Sequence, residues 1–340
     1  MSKSRTIAGV GFGTALGVLL GFYVLAPNVE GGPSGDSSNV KGELATAESD
    51  RDAARLDADA SDDVLASLAE RAVAGQLKGQ RVAVISFSDA NRDTVNKVTG
   101  LVKSAGGEVA GQLNLTPDIL TADKGDKLKS LAANSLPAGA QLNEHVLSPG
   151  MHTGQVLGAA VTSDLRTAGK SGDEKSTGKK SKTKQSGKPA NESDRSVVLG
   201  ALKKEGVLES KETAADGISG GSEWADLAII ITGPSDQEAG QAGQEDGNYA
   251  AQFIADFAAG VRTQMKGAVL AGNDGAAQKD AAIGIVRGKR DYAEEVSTVD
   301  NAQRVAGRIS VIRAAKEQAD GEAGHYGSAA DAQAATRGLI

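Results

Sequence analysis

A chain of 340 residues with 39 % apolar residues can build one large core or two smaller ones, and its 3 % aromatic content means that aliphatic side chains must fill them. A formal net charge of −7 predicts no basic surface for nucleic acid. The absence of cysteine excludes disulfides and thiolate metal sites.

Residues 7–26 form an apolar stretch without a charged side chain. A helix of ~20 residues crosses the ~30 Å hydrocarbon layer, so this stretch predicts a transmembrane helix. Lys3 and Arg5 precede it and Glu30 follows it, which places residues 1–6 in the cytoplasm and the rest of the chain outside the plasma membrane. A cleaved signal peptide is the alternative, although Pro27 is a poor residue after a cleavage site.

Glycines recur at every fourth position of this stretch, at Gly9, Gly13, Gly17 and Gly21. In lipid, small residues let two helix backbones approach closely, so the spacing predicts pairing with a second copy or a partner helix. The alternative is the general abundance of glycine in membrane helices.

A Gly/Pro/Ser linker at 27–39 leads to residues 40–78, which have the composition of a helix. Apolar residues at heptad spacing form a candidate coiled-coil seam: Val40, Leu44, Ala47, Ala54, Ala58, Leu65, Leu68 and Ala72. Arg51 and Ser61 interrupt it, so we predict a weak coiled coil that forms a homo-oligomer or binds a partner. The alternative is a single helix packed on its own globular domain.

Strands and helices alternate through residues 79–327, which predicts an α/β domain with a mostly parallel sheet and flanking helices. We expect strands at 81–87, 108–115, 224–233, 267–271 and 281–286, and helices at 89–105, 248–264 and 301–318. Ser88 and Asp89 are the expected cap of the first of these helices. Residues 328–340 are expected to be a C-terminal tail.

Residues 168–195 interrupt the alternation with a lysine-rich stretch that has no large apolar residue. Such a stretch cannot bury a core and predicts a disordered insertion. It is either a solvated loop or a polybasic segment that binds anionic lipid or cell-wall polymer.

No catalytic motif accompanies the predicted sheet. The turn SFSDANRD after the first strand lacks the glycines of a dinucleotide or phosphate loop, and no GxSxG is present. Four aspartates lie near predicted strand ends, where they bind ligands or cap helices: Asp89, Asp226, Asp291 and Asp300. Nothing pairs any of the three histidines with a nucleophile, so we expect a non-enzymatic protein without a resident cofactor.

His145, Met151 and His152 lie within eight residues of each other, in NEHVLSPGMHTG. Imidazole and thioether groups suit copper, which makes the three candidate copper ligands. The alternative is a loop that covers the sheet.

Four segments of the chain form a distinctive set: STVDNAQRVAGRISVIRAAKEQADGEAGHYG at 297–327, LKGQRVAVI at 77–85, AGGEVAGQLNLTPD at 105–118 and the glycine-repeating N-terminal stretch. They resemble the MctB family of copper-transport outer-membrane proteins, and the segment at 297–327 is the most specific of them. The resemblance covers nearly the whole chain apart from 168–195, and it brings no catalytic residues with it.

The resemblance implies two roles of different kinds. The family name implies copper transport or homeostasis across the envelope, although a twenty-residue apolar helix suits the plasma membrane rather than an outer-membrane barrel. SteB-type relatives are instead implicated in cell separation during cell division. They work with a cytoplasmic SteA-type partner, and their coiled coil influences a peptidoglycan hydrolase. Both roles remain open at the level of sequence.

Overall fold

The computed structural model describes residues 37–163, 190–209, 224–233 and 244–334, with only the backbone described at 37–43 and 244–247. The chain divides into two units, Met1–Ala60 and Ser61–Ile340. The predicted membrane stretch at 7–26 and its glycines Gly9, Gly13, Gly17 and Gly21 lie outside the described residues. Within the described residues, no helix is both long enough and apolar enough to cross a membrane.

The second unit contains a six-stranded sheet in the order β2-β1-β3-β4-β5-β6. Every neighbouring pair of these strands runs parallel, as predicted. The strands are β1 Arg81–Ser86, β2 Glu108–Asn114, β3 Leu227–Ile231, β4 Gly267–Ala271, β5 Ser297–Val299 and β6 His325–Tyr326. The central strands β3 and β4 are buried at every residue, which explains their continuous apolar sequences.

Helices cover both faces of this sheet. They are α1 Ser37–Val73, α2 Arg92–Ser104, α3 Gly125–Asn134, α4 Pro149–Val161, α5 Glu192–Lys204, α6 Gln244–Gln264, α7 Ala282–Gly288, α8 Arg290–Ala293 and α9 Val305–Asp320. One core packs α2, α9 and the end of α1 against side chains such as Val84 and Ile229. The other packs α3 to α7 against side chains such as Ile85 and Ile230. Alternate residues of each strand therefore enter opposite cores.

The last turns of α1 belong to the α/β body. Ala69 and Val73 are buried in the core on the α2 and α9 side, together with Leu77 just beyond the helix. The Asp62 carboxylate accepts a hydrogen bond from the backbone N–H of Val305 at the start of α9, at 3.2 Å. This end of α1 follows the alternative interpretation, that of a helix packed on its own domain.

The packing of α4 against α6 depends on glycine. A Cβ at Gly150 would overlap the carbonyl oxygen of Phe253, and one at Gly154 would overlap that of Phe257. From the other side, a Cβ at Gly260 would overlap the carbonyl oxygen of Met151. The third glycine of α4, Gly158, has the Cα of Val261 3.2 Å from where its Cβ would be. The two backbones are therefore in direct contact, and a side chain at any of these glycine positions would push them apart.

Two predicted elements differ from the structure. The predicted strand at 281–286 is wrong: these residues enter α7, which buries Ala282, Ile283 and Val286 on one side. A short apolar run fits a buried helical turn as well as a strand, so its sequence does not distinguish them. The expected cap of α2 is also wrong, because Asn91 and not Ser88 or Asp89 accepts the backbone N–H groups of Asp93 and Thr94.

Two stretches that the sequence assigned to flexible segments belong to the fold: the end of the predicted insertion and the start of the predicted C-terminal tail. Residues 190–195 were predicted to be disordered, yet Asn191 caps α5 and Arg195 is buried over the ring of Trp224, 4.1 Å from its centre. This contact between segments distant in sequence, together with the burial of Ala190, attaches a stretch that has no large apolar side chain. Residues 328–334, predicted to lie in the tail, are also attached, since the N–H of Gly327 donates to the Ala334 carbonyl at 3.0 Å.

The contact between α4 and α6 gives a direct stability prediction. Gly154→Ala should lower the free energy of unfolding by about 2 kcal/mol or more, because overpacking forces two backbones apart. The matched control is Gly200→Ala in the exposed middle of α5, where nothing lies within 4 Å of the new methyl group. It should raise stability by about 0.5–1 kcal/mol. Urea unfolding of the two full-length variants measures both, and equal shifts would contradict the proposed backbone contact.

Candidate functional site

The carboxyl ends of β1 and β3 form the switch point of the sheet, where ligands bind in many parallel α/β folds. Asp89 follows β1, and its carboxylate accepts a hydrogen bond from the Thr232 hydroxyl at 3.0 Å. A Cβ on the next residue, Gly233, would overlap the carbonyl oxygen of Asp89. The described residues at this point therefore pack against each other, and Asp89 ties the two strand ends together.

Asp226 lies at the opposite, amino-terminal end of β3. Its carboxylate forms an ion pair with Arg81 at 3.0 Å and accepts the Ser163 hydroxyl at 2.5 Å. Burial alone would raise the pKa of Asp226, but the hydrogen bonds from Arg81 and Ser163 prevail and lower it. This carboxylate therefore stays ionised and joins β1, β3 and the chain after α4.

A buried ion pair closes the carboxyl end of β5. Arg287 on α7 and Asp300 after β5 lie 2.8 Å apart, with side chains 5 % and 1 % exposed. Arg287 also binds the Asp331 carboxylate at 2.8 Å and donates to the Thr298 hydroxyl at 2.9 Å. Asp300 accepts the backbone N–H of Ser328 at 2.7 Å. These contacts attach residues 328–331 to the sheet, so both charges have a structural role.

His325 on β6 continues this network. Its Nε2 lies 3.1 Å from the Ala293 carbonyl, which can only accept, so Nε2 carries the proton. Its Nδ1 then accepts from the Thr298 hydroxyl at 2.9 Å. Burial, assisted by the charge of Arg287, lowers the pKa of His325. The imidazole is therefore neutral and holds β6 against β5.

A cavity of about 450 Å³ lies beside α6 and α8. Its lining residues are Val146, Gln252, Asp256, Lys289, Arg290, Asp291 and Tyr292. Asp256 is 3 % exposed, and one of its oxygens, Oδ1, accepts from Gln252 at 2.6 Å and from the Tyr292 hydroxyl at 2.7 Å. Burial and that hydrogen bond raise the pKa of Tyr292, so its phenol remains a donor.

Of these cavity residues, only Asp291 is a candidate from the sequence. The available signal was a lone acid in the apolar sequence FIADFAAG of α6, because an unpaired charge is rarely buried without a reason. The partners of Asp256 lie more than thirty residues away, on and beside α8, except for Gln252. Only the packing of α6 against α8 brings them together.

The structure places the candidate copper ligands in different environments. His145 is exposed, and its backbone N–H donates to the Asn143 side chain at 2.8 Å. Met151 is 2 % exposed within the core, and His152 is buried with its Nε2 3.0 Å from the Asn143 carbonyl. Across the described residues, no group of three or more histidine, aspartate or glutamate side chains is placed to hold a metal ion. Copper ligation by this trio stays a prediction.

Comparison with known proteins identifies the family. Residues 5–337 match the family described as "Copper transport outer membrane protein, MctB". The chain belongs to the MctB family. It is 28 % identical to the "Copper transporter MctB" of Mycobacterium tuberculosis (strain ATCC 25618 / H37Rv) over 97 % of this chain and 96 % of that protein. The protein of the same name from Mycobacterium leprae (strain TN) is 31 % identical over 76 % of this chain and 73 % of its own length.

The predicted coiled-coil seam of this MctB-family chain has two parts in the structure. Leu44, Ala47 and Ala54 are exposed, and every described residue from 44 to 57 is exposed with them. Leu65 and Ala72 are instead partly buried against the body, while Leu68 remains 43 % exposed. Ala58 is partly exposed. Because Leu65 and Ala72 pack against the body, the seam cannot pair with a second helix along the whole of 40–78. Pairing through the exposed residues 44–57 stays a prediction.

The network around His325 predicts a pH dependence for this MctB-family protein. Its pKa in the folded state lies below the ordinary value of 6.5, so protonation favours the unfolded chain. The stability due to the neutral ring is present above about pH 6.5 and is lost as pH falls below it, through the folded-state pKa. Urea unfolding between about pH 7.5 and 5 should show this decline.

His325→Gln should flatten the decline, because the side chain no longer titrates. The matched control is His145→Gln, which removes an exposed histidine and leaves the contacts of His325 in place, so the decline due to His325 should persist. An identical decline in the wild type and the His325 variant would contradict the assignment.

Proposed function

We propose that this chain acts in copper transport or copper homeostasis at the cell envelope as a non-enzymatic protein with a single membrane span. In this proposal residues 7–26 anchor the chain in the plasma membrane with the N-terminus in the cytoplasm. The α/β body is presented beyond the membrane as a recognition module.

The observation that carries the proposal is the family match across residues 5–337, which includes both the apolar stretch and the α/β body. Relatives that are covered almost end to end carry the name copper transporter. The charge pattern of the N-terminus supports the orientation.

The geometry of the strand ends supports a recognition role rather than catalysis. Asp89 is held by Thr232, Asp226 by Arg81, and Asp300 by Arg287. Each of these carboxylates ties two parts of the fold together. General acid or base catalysis requires a carboxylate within reach of a substrate proton, and these three instead contact protein groups.

A strain that lacks the gene should be more sensitive to copper than its parent, and the intact gene should restore tolerance. Purified full-length protein should bind copper at pH 7, and His145→Gln with Met151→Leu and His152→Gln should weaken binding at least tenfold if these residues are ligands. The matched control replaces the histidine and a methionine outside the trio, with His325→Gln and Met265→Leu.

The outcomes separate the site from the function. Unchanged copper binding in the triple variant would remove the trio as a site. A deletion strain with the copper tolerance of its parent would remove the copper function itself.

A second candidate function is that of a SteB-type scaffold, which works with a cytoplasmic SteA-type partner and regulates a peptidoglycan hydrolase during cell separation. The exposure of residues 44–57 favours it, because the seam residues Leu44, Ala47 and Ala54 are all exposed there, on a helix of high charge. An exposed helix of this kind can bind a partner helix through its seam.

The scaffold role predicts that the seam, and not merely the helix, recruits a partner. Leu44→Lys with Ala47→Lys and Ala54→Lys should abolish recovery of a cell-wall hydrolase in pull-downs from membranes, because lysines at core positions oppose coiled-coil pairing. Ala45→Lys with Ser49→Lys and Ala53→Lys adds the same charge on other faces of the helix and should retain the hydrolase. Equal recovery with both variants would contradict docking through the seam.

A further inference from the structure

The cavity beside α6 and α8 is lined by the carboxylate of Asp256, and the described residues contact only one of its two oxygens. Asp256 has a side chain that is 4 % exposed, and Gln252, Tyr292 and Lys289 all contact its Oδ1. Its Oδ2 receives no hydrogen bond from a described residue. A carboxylate has about four lone-pair positions, so the described residues leave acceptor capacity on the second oxygen of this cavity residue.

The walls of the cavity suit a small organic molecule. Its volume of about 450 Å³ falls within the ~300–1,000 Å³ of small-molecule sites. Val146 and the ring of Tyr292 provide apolar surface, while Lys289, Arg290 and Asp291 are exposed. With Asp256 included, the lining has two acidic and two basic side chains, so the cavity does not repel a cation through its net charge.

The protein's own lysine indicates which group this site attracts. The ammonium of Lys289 lies 3.5 Å from Oδ1 of Asp256 and 4.8 Å from the centre of the Tyr292 ring. It therefore combines an ion pair with a cation–π contact. The Lys289 side chain is 44 % exposed, so water weakens this internal pair. A ligand ammonium that reaches Oδ2 meets the same carboxylate and the same ring from inside the cavity.

We propose that this cavity binds a small organic molecule with a primary ammonium group and an apolar body. The ammonium donates to Oδ2 of Asp256, and the apolar body lies against Val146 and the Tyr292 ring. Binding is reversible and involves no covalent step. It does not depend on the proposed copper function, since the lining provides no imidazole or thioether, the ligands that copper favours.

Benzylamine is a suitable probe, and benzyl alcohol is its uncharged match of nearly the same shape. Calorimetric titration of the full-length protein at pH 7 should show binding of benzylamine at least tenfold tighter than that of benzyl alcohol, because only the amine forms a charge-assisted hydrogen bond. Equal affinity for the two compounds, or no binding of benzylamine at millimolar concentration, would overturn the proposal.

Two pairs of variants locate the site. Asp256→Asn should weaken benzylamine binding at least tenfold, whereas Asp291→Asn, the same charge change at an exposed position, should change it less than about twofold. Lys289→Met should strengthen binding severalfold, because it removes the internal competitor for Asp256, and Arg290→Gln should do so much less. An Asp256 variant that binds as the wild type does, or a Lys289 variant that binds no better, would overturn the assignment.

Val146→Phe provides a test that leaves the carboxylate intact. A larger ring should occupy part of the cavity and weaken benzylamine binding without changing the interactions of Asp256. Urea unfolding of each variant identifies any that fail to fold. Undiminished binding in a folded Val146 variant would place the probe elsewhere and contradict the proposal.

Discussion

The α/β body depends on the direct contact between the backbones of α4 and α6. Glycine costs roughly 1 kcal/mol relative to alanine within a helix, yet α4 has three of them facing α6. The close approach positions Phe253 and Phe257 over the sheet, where Phe257 meets Phe87 edge to face with ring centres 5.3 Å apart. In a chain with 3 % aromatic residues, this cluster places much of its aromatic surface at one junction.

Helix α6 also contributes two residues to the cavity. Gln252 and Asp256 are one helical turn apart on α6, so the position of α6 relative to α8 decides whether Asp256 reaches Tyr292 and Lys289. The carboxylates at the strand ends have a different role, because they are bound by arginine or hydroxyl groups of the protein itself. The fold thus uses Asp89, Asp226 and Asp300 to join elements, whereas one oxygen of Asp256 receives no hydrogen bond from a described residue.

Much of the fold followed from local sequence. The runs at 81–87, 224–233 and 267–271 each contain a strand that is covered on both faces, and such a strand needs a continuous apolar sequence. The run at 108–115 contains the edge strand β2, in which Glu108, Gln112 and Asn114 are exposed. The strand predicted at 281–286 is wrong because its six apolar and small residues are equally compatible with a buried helical turn. The helix α4, which contains Met151, was not predicted for a related reason. Its glycines are spaced by four, and glycine in water favours a turn over a helix unless a second backbone packs against it.

By itself, the sequence determined the parallel α/β class, the positions of β1 to β4 and the membership in the MctB family, because these depend on composition, periodicity and motifs along the chain. The two short strands β5 and β6 were not predicted. Only the tertiary structure decided that α4 and α6 touch through glycine and that Arg195 and residues 328–334 belong to the body. It also decided that Asp256 meets Lys289 and Tyr292. Each of these depends on contacts between residues far apart in sequence, and such contacts leave no local periodicity to read.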